Sequence, residues 1–458
     1  MYRRLLRYFV TITTLARASY WNAECPYLLY ASKTPYDAIR GDIRDYPVPQ
    51  NCEAVSVWVL SRHGNRNPGE SDTTKMKAMA DLKDEILSSY QAGTSHLSAQ
   101  DIDMFKSWTW NSTIEVSQSY LTGEGYTELF NLGERIRQKY PHLLQASSDG
   151  LYARPTNEQR TVTSAIAFVH GLTDGLALNV TFDGPWERDD VIRSYQNCDK
   201  YMQEVRGGPT IDEQLELYFD ILILLKVQNA VQQRLGISSE LNATNILAFY
   251  DLCRFDRSWD VRWRSPWCAA FTDEDLLVME YYDDVRHYYR NGYGSWVNVR
   301  LGEPALKDLY ENFEAVVQGG GRKVVSYFSH DTMLEMVICA MGLFKDDSLL
   351  EGSWRNESRL WRSSFVGAFT VNIIGVLNRC DSADEPYRVQ LFLNEKETPL
   401  CPLEGCTWQA FQNIFQIRSP RFMSLAVIVF RCTIYSHILT RFKLNIYSYS
   451  ISIFATAP

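Results

Sequence analysis

One short segment of this 458-residue chain combines the residue types that chemistry on a phosphate ester needs. Arg62 and Arg66 flank His63, and Gly64 follows the histidine, within the segment Arg62–Pro68. An imidazole nitrogen can attack phosphorus as a nucleophile, and each guanidinium offers a planar fork of donors that matches phosphate oxygens. A glycine lets the backbone approach a ligand without a Cβ clash. Taken alone, the segment is also compatible with an ordinary strand-to-helix turn that carries surface arginines.

Three predicted strands lead into junctions that carry histidine, arginine or aspartate. A run rich in Val, Trp and Leu leads into the first segment and predicts a buried strand. Residues 151–153 form a second apolar run, and Arg160 follows it at the start of a helical pattern. Residues 324–329 predict a third strand, which ends at His330 and Asp331. Since open α/β sheets bind ligands at the carboxyl ends of their strands, the three junctions predict a single site.

Together these motifs resemble a known family. The pattern Arg-His-Gly-x-Arg-x-Pro, an Arg-Thr pair at a helix start and a late His-Asp pair resemble the histidine phosphatase superfamily, acid phosphatase branch. A block from Trp267 to Gly294 narrows the resemblance to multiple inositol polyphosphate phosphatases, the animal phytase-like enzymes. Three shorter stretches are similar to that subfamily as well: Lys33–Tyr36, Leu391–Glu395 and Cys401–Cys406. The resemblance extends over most of the chain.

The resemblance implies a role for each of six residues. His63 would attack phosphorus and become a phosphohistidine, with its other ring nitrogen held by a backbone acceptor. Asp331 would protonate the leaving alkoxide and then help water to attack the phosphohistidine. Phosphoryl transfer depends mainly on positioning and electrostatic stabilisation. The residues that would bind the transferring phosphoryl group and neutralise its oxygens are Arg62, Arg66, Arg160 and His330.

One motif departs from part of the subfamily. Many inositol polyphosphate phosphatases carry His-Ala-Glu where this chain has His330, Asp331 and Thr332. The His-Asp form is typical of acid phosphatases and many phytases. The difference leaves the expected chemistry intact, but it leaves open which leaving group, and so which ring position, is favoured.

The apolar patterns and the resemblance predict an α/β fold, a phosphoglycerate-mutase-like sheet flanked by helices with an inserted, mainly helical domain. We expect residues 1–44 to form a leader and an extended arm, and residues 45–165 with 295–415 to form the α/β catalytic domain. Residues 166–294 would form the helical insert, which closes over the active cleft. Residues 416–458 form an atypical tail that does not resemble the family, and we expect it to come from intron read-through or an alternative last exon.

The composition limits the classes of ligand and partner. The formal net charge is −9 and no basic stripe is visible, which argues against nucleic acid as a partner. An acidic surface still allows a basic pocket, because the field in a cleft depends on the lining of that cleft. No Cys and His spacing resembles a zinc site and no phosphate-binding P-loop motif occurs, so no metal or cofactor is expected. We expect a small phosphate ester as substrate and no obligate protein partner, and the oligomeric state stays open.

The ten cysteines and four glycosylation sequons indicate the secretory pathway. The amino end is basic and then moderately apolar, which resembles a signal peptide with a short core. We therefore expect a secreted or endoplasmic-reticulum-lumen protein, and membrane association through an anchor not visible in the sequence stays open. The candidate disulfide pairs are Cys52–Cys380, by the resemblance, and Cys253–Cys268 and Cys401–Cys406, which flank short loops. The cysteines without a clear partner are Cys25, Cys198, Cys339 and Cys432.

These observations predict a phosphomonoesterase that hydrolyses inositol polyphosphates, phytate among them, through a phosphohistidine intermediate. The resemblance also allows 2,3-bisphosphoglycerate as a substrate. Two alternatives stay open: a broad-specificity histidine acid phosphatase, and a catalytically inactive phosphate-binding protein. The second is disfavoured, because a binding module has no reason to keep both a nucleophile and a proton donor.

Overall fold

The computed structural model describes residues 27–144, 150–174, 179–220, 222–262, 264–402 and 404–418. The expected leader up to residue 26 and the atypical tail beyond residue 418 lie outside the described residues. Within these ranges one sheet contains eight strands: β1 (Cys52–Arg62), β2 (Leu151–Pro155), β3 (Val180–Phe182), β4 (Val324–Ser329), β5 (Asn372–Cys380), β6 (Tyr387–Leu393), β7 (Lys396–Glu397) and β8 (Cys406–Thr407).

Helices cover both faces of this sheet. In chain order they are α1 (Glu70–Ala80), α2 (Lys83–Gln91), α3 (Ala99–Ser107), α4 (Thr113–Val116), α5 (Gly123–Lys139), α6 (Gln159–Thr173), α7 (Thr210–Asp220), α8 (Leu222–Leu235), α9 (Ala243–Trp259), α10 (Asp273–Asn291), α11 (Trp296–Val317), α12 (Asp331–Met341), α13 (Ser363–Val366) and α14 (Trp408–Arg418). The predicted α/β fold, a sheet flanked by helices, is confirmed.

The sheet topology brings the predicted junctions together. The strand order is β3-β2-β4-β1-β5-β6-β7, with β8 beside β6. Strands β3, β2, β4 and β1 are mutually parallel, whereas β5 and β6 add an antiparallel hairpin next to β1. In the register, Arg62 at the end of β1 is opposite Ser329, and Pro155 at the end of β2 is opposite Phe328. The carboxyl ends of three neighbouring strands therefore meet at one edge of the sheet.

Successive residues of β1 enter two different cores, because side chains of a strand alternate between the faces of its sheet. Trp58 belongs to a large cluster that also contains Trp267 and Tyr281 of the helical region. Its neighbour Val59 belongs to a second cluster, which contains Phe168 of α6. Burial on both faces explains why this strand reads as an almost continuous apolar run.

The predicted start of the helical insert coincides with a helix that packs on the sheet. The domain boundary expected at residue 165 falls inside α6, which packs along α5 on the sheet. The small residue Gly171 permits this packing, because a Cβ there would lie 1.9 Å from the backbone oxygen of Phe130. The amino-terminal helix α1 in turn packs on α9, so residues before 166 also contribute to the helical side. The division into two domains stays a prediction.

Three disulfide bonds join described cysteines, and their pairs are those named from the sequence. Cys52–Cys380 ties β1 to β5, and the other two bonds are Cys253–Cys268 and Cys401–Cys406. Cys198, for which the sequence suggests no partner, is disulfide-bonded as well. Cys339 in α12 is a buried free thiol, as its apolar helix indicates.

Candidate active site

His63 follows the last residue of β1 and is almost fully buried, with 2 % of its surface exposed. Its Nδ1 lies 2.8 Å from the backbone oxygen of Gly64. Since a carbonyl oxygen only accepts hydrogen bonds, Nδ1 carries the proton and Nε2 keeps its lone pair. Burial, reinforced by Arg62 and Arg160, holds the pKa of His63 well below its usual range. The ring is therefore a neutral imidazole with a free nucleophilic nitrogen.

Backbone packing fixes the loop that carries this histidine. A Cβ on Gly64 would lie 2.3 Å from the backbone oxygen of Gly125 in α5, so both glycines allow two backbone segments to touch. This close contact is with the protein itself, and it replaces the approach to a ligand that the sequence suggests for Gly64. The carboxylate of Glu128 then accepts hydrogen bonds from the backbone N–H of Asn65 and the hydroxyl of Thr370, both 2.8 Å long.

Arg62 is buried completely, and its guanidinium is only partly satisfied by the protein. Nη1 donates to the backbone oxygens of Ser32 (2.7 Å) and Gly367 (2.5 Å). Nε and Nη2 are buried without a hydrogen-bond partner among the described residues, although Nη2 lies 3.2 Å from a carboxylate oxygen of Asp331. Buried polar groups are normally paired, so these donors indicate a site for a bound anion.

Arg66 and Arg160 complete a cluster of three guanidinium groups. Arg66 donates from Nη1 to the backbone oxygen of Asn67 (2.7 Å). Burial, together with the nearby Arg62 and Arg160, lowers the pKa of Arg66 to about 10. The Nε of Arg160 is also buried without a partner among the described residues. Like charges this close repel one another, and an anion between them would relieve that repulsion.

His330 and Asp331 lie at the junction of β4 and α12. The Nε2 of His330 is 3.0 Å from the hydroxyl of Thr156, and the rings of His330 and His63 are 5.6 Å apart. Burial, reinforced by Arg160, lowers the pKa of His330 to about 3. For Asp331, burial favours the neutral acid, but the surrounding positive charges, Arg62 foremost and Lys33 among them, together outweigh it and hold the pKa of this carboxyl well below its usual range. Without substrate, Asp331 is therefore a carboxylate.

The structure thus brings all six predicted residues to one edge of the sheet, and it adds a cation that the motifs do not mark. Lys33 is 9 % exposed, and its ammonium donates to the hydroxyl of Ser32 (2.9 Å), the residue whose backbone oxygen binds Arg62. Burial, with Arg254 and Arg66, lowers the pKa of Lys33 to about 7. In the sequence, Lys33 is marked only as part of the stretch Lys33–Tyr36 that is similar to the subfamily, and no other sequence feature points to a role in the site.

No group of three or more His, Cys, Asp or Glu side chains within the described ranges could hold a metal ion. The candidate site combines a neutral imidazole that can act as a nucleophile, several guanidinium donors and one carboxylate. This arrangement can bind a phosphoryl group and transfer it to His63.

Comparison with known proteins agrees with this geometry. Residues 55–394 match the histidine phosphatase superfamily (branch 2), and the chain belongs to that family. It is similar to multiple inositol polyphosphate phosphatase 1 of Drosophila melanogaster, with 32 % identity over 397 residues and 83 % of each chain covered. The Homo sapiens protein of the same name is 27 % identical over 372 residues, with 76 % of each chain covered.

A solved structure shows the same fold. The phytase from D. castellii superposes with a TM-score of 0.68 at 19 % identity, and the match covers 81 % of each chain. The multiple inositol polyphosphate phosphatase of Bifidobacterium longum, in complex with inositol hexasulfate, superposes with a TM-score of 0.63 at 15 % identity, covering 82 % of this chain and 94 % of that one.

Proposed function

We propose that the protein is a phosphomonoesterase that hydrolyses inositol polyphosphates through a phosphohistidine intermediate. The observation that carries this proposal is the free Nε2 of a neutral His63 beside buried guanidinium donors of Arg62 and Arg160 that have no hydrogen-bond partner among the described residues. Such donors stabilise the charge that develops on a transferring phosphoryl group. His330 and Arg66 would bind the same group from neighbouring positions.

The reaction would proceed in two steps, transfer of the phosphoryl group to His63 and hydrolysis of the phosphohistidine. In the first, Nε2 of His63 forms a bond to phosphorus while the bond to the ester oxygen breaks, and Asp331 gives its proton to that oxygen. In the second, Asp331 takes a proton from water, whose oxygen bonds to phosphorus and releases His63 with inorganic phosphate.

The proton that Asp331 must supply is absent from the unliganded site at neutral pH, because Arg62 and the other cations nearby hold the pKa of this carboxyl low. A bound phosphoryl group brings negative charge close to Asp331 and shares Arg62 with it, and both effects raise the pKa of the carboxyl. We therefore expect turnover to be favoured at acidic pH.

The substrate class follows from the relatives and from the charge of the site. The relatives named above are inositol polyphosphate phosphatases and a phytase, and a substrate with several phosphate groups suits a pocket that adds Lys33 to the arginines. 2,3-Bisphosphoglycerate is not part of the proposal, since no observation supports it specifically. Broad-specificity phosphatase activity is the alternative, and acid phosphatase of Schizosaccharomyces pombe is a relative at 26 % identity.

We also propose that the protein acts in the secretory pathway, either outside the cell or in the endoplasmic reticulum lumen. The disulfide bonds support this location, because oxidising compartments preserve them. Within the part of the chain that the structure describes, no helix has the length and apolar character needed to cross a membrane.

Phosphate release from phytate and from p-nitrophenyl phosphate, measured from about pH 3 to about pH 8, tests the function. We expect a preference for phytate that His63→Ala abolishes, and a phosphohistidine trapped by an alkaline quench of the wild-type enzyme. His170→Ala is the matched control, because His170 is an exposed histidine of α6 that bonds Tyr126. Preference for the simple ester would indicate a general acid phosphatase, and turnover that survives in His63→Ala would contradict the mechanism.

A further inference from the structure

A segment of the helical region is anchored directly against the β4–α12 junction. The hydroxyl of Ser329, the last residue of β4, donates to the backbone oxygen of Ile192 (2.6 Å). Two residues further on, the hydroxyl of Ser194 donates to the backbone oxygen of Leu301 (2.6 Å) and lies 3.5 Å from the sulfur of Met333 in α12. The residue between these two anchors is therefore held next to His330 and Asp331.

A buried ion pair fixes the same segment from its other end. Asp189 is 3 % exposed, and its Oδ2 lies 2.9 Å from Nε of Arg154 in β2. The other oxygen of Asp189 accepts hydrogen bonds from the backbone N–H groups of Val191 and Ile192. The backbone N–H of Arg193 donates to the backbone oxygen of Asp189 (3.0 Å). The backbone at Arg193 is thus positioned by contacts to β2, β4, α11 and α12.

The side chain of Arg193 has no hydrogen bond or ion pair to any described residue, and its Nε is buried. It lies within electrostatic range of His330, whose pKa it helps Arg160 to lower. A buried guanidinium nitrogen without a partner costs free energy, and this segment gives the arginine no carboxylate of its own. The arrangement indicates that the missing partner is an anionic group of a ligand.

We propose that Arg193 binds a second phosphate group of the substrate, beside the one transferred to His63. The transferring phosphoryl group has only three non-bridging oxygens, and donors of Arg62, Arg66, Arg160 and His330 already suffice for them. Arg193, whose backbone is held beside the β4–α12 junction, would contact a neighbouring phosphate of the same ring. This inference rests on the proposed function, and it assigns to one residue the preference for polyphosphates over simple esters.

The test compares Arg193→Gln with Arg188→Gln, a control that removes the same charge from the same segment. Arg188 is 54 % exposed and lies 3.6 Å from Asp190, away from the anchored residues. For Arg193→Gln we expect the KM for phytate, and the inhibition constant of inositol hexasulfate against p-nitrophenyl phosphate hydrolysis, to rise about tenfold, which is about 1.4 kcal/mol. Turnover of p-nitrophenyl phosphate and its inhibition by inorganic phosphate should change by less than about twofold, and Arg193→Lys should recover part of the affinity.

Equal losses on both esters would overturn the inference, because they would place Arg193 at the transferring phosphoryl group or in the fold. Unchanged inhibition by inositol hexasulfate would overturn it too. Retained p-nitrophenyl phosphate turnover reports that the variant is folded. If the wild-type enzyme hydrolyses only the simple ester, the proposed function fails, yet inhibition by inositol hexasulfate still decides whether Arg193 forms a second anion site.

Discussion

Replacing Lys33 by glutamine should remove a pH-dependent part of the affinity for substrate. The ammonium of Lys33 and the guanidinium of Arg62 are both bonded to Ser32, so the lysine lies beside the phosphoryl site. Burial, with the repulsion of Arg254 and Arg66, lowers the pKa of Lys33 to about 7. A lysine is protonated below its pKa. Its attraction for a polyanion is therefore complete in acid and is lost as the pH rises through 7.

The size of the effect follows from the same contacts. An ammonium and a phosphate oxygen about 4 Å apart attract by about 4 kcal/mol at an effective dielectric constant of ~20. Desolvation offsets much of this, and a net hydrogen bond to a charged group is worth roughly 1.5–3 kcal/mol. We therefore expect kcat/KM for phytate to be at least about tenfold higher in the wild-type enzyme than in Lys33→Gln at acidic pH. With a pKa of about 7 for Lys33, that advantage should halve near pH 7.

The assay is the ratio of kcat/KM between wild type and Lys33→Gln across about pH 5 to about pH 9, at constant ionic strength. This parameter reports the ionisation of the free enzyme, and the ratio cancels the ionisation of phytate itself. Lys33→Arg is the matched control, since a guanidinium stays charged throughout the range and should keep its advantage at pH 8. A ratio that stays constant from about pH 5 to about pH 9, as expected for a lysine with the ordinary pKa of about 10.4, would refute the reasoning.

Three further predictions concern the proton donor, the loop of the nucleophile and the fold. Asp331→Asn should lower kcat for phytate about 10²–10⁴-fold but far less for p-nitrophenyl phosphate, whose leaving group needs no proton; equal losses would argue against the donor role. Burial raises the pKa of Glu128 to about 7, so the wild type loses stability as the pH rises from the ordinary carboxyl range to 7. Over that range, the free energy of unfolding of the wild type, measured with denaturant, should fall by up to about 3 kcal/mol relative to that of Glu128→Gln. A difference between the two proteins that stays constant with pH would contradict the pKa shift. Removing the Cys52–Cys380 bond, which closes a loop with a sequence separation of 328, should lower the free energy of unfolding by up to roughly 5 kcal/mol, and an unchanged melting temperature would contradict this.

The candidate catalytic residues were predictable because each lies at or within a few residues of the end of a strand with a local apolar pattern. Parallel neighbours in one sheet must align their carboxyl ends, so Arg62 and His330 meet even though they are far apart in sequence. The start of α6 was similarly marked by the Arg-Thr pair at Arg160. Local sequence therefore predicted both the elements and the edge of the sheet at which they form a site.

Other parts of the site depend on contacts that no local pattern encodes. Glu128 acts on the loop of His63 from the middle of a helix, and its position is visible only once Gly64 and Gly125 are seen to touch. Arg193 lies in a stretch without strand or helix periodicity. Its position near the site becomes visible only through the hydrogen bond between Ile192 and Ser329. The packing of α6 on α5, within which residue 165 falls, is likewise decided by backbone contact and not by hydrophobic pattern.

The arginines of the protein differ in how fully their buried donors are paired. Arg135 makes two hydrogen bonds of 2.7 Å to Glu395, and Arg254 bonds both Asp251 and Asp283, so their charges are neutralised within the protein. Beside His63, Arg62 keeps both Nε and Nη2 buried without a hydrogen-bond partner among the described residues, and Arg160 and Arg193 each keep a buried Nε in that state, as does Arg355 elsewhere. Burying donors in this state costs stability, and an acidic chain had carboxylates available to pair with them. In the proposed function, a polyanionic substrate supplies acceptors to those donors that lie beside His63.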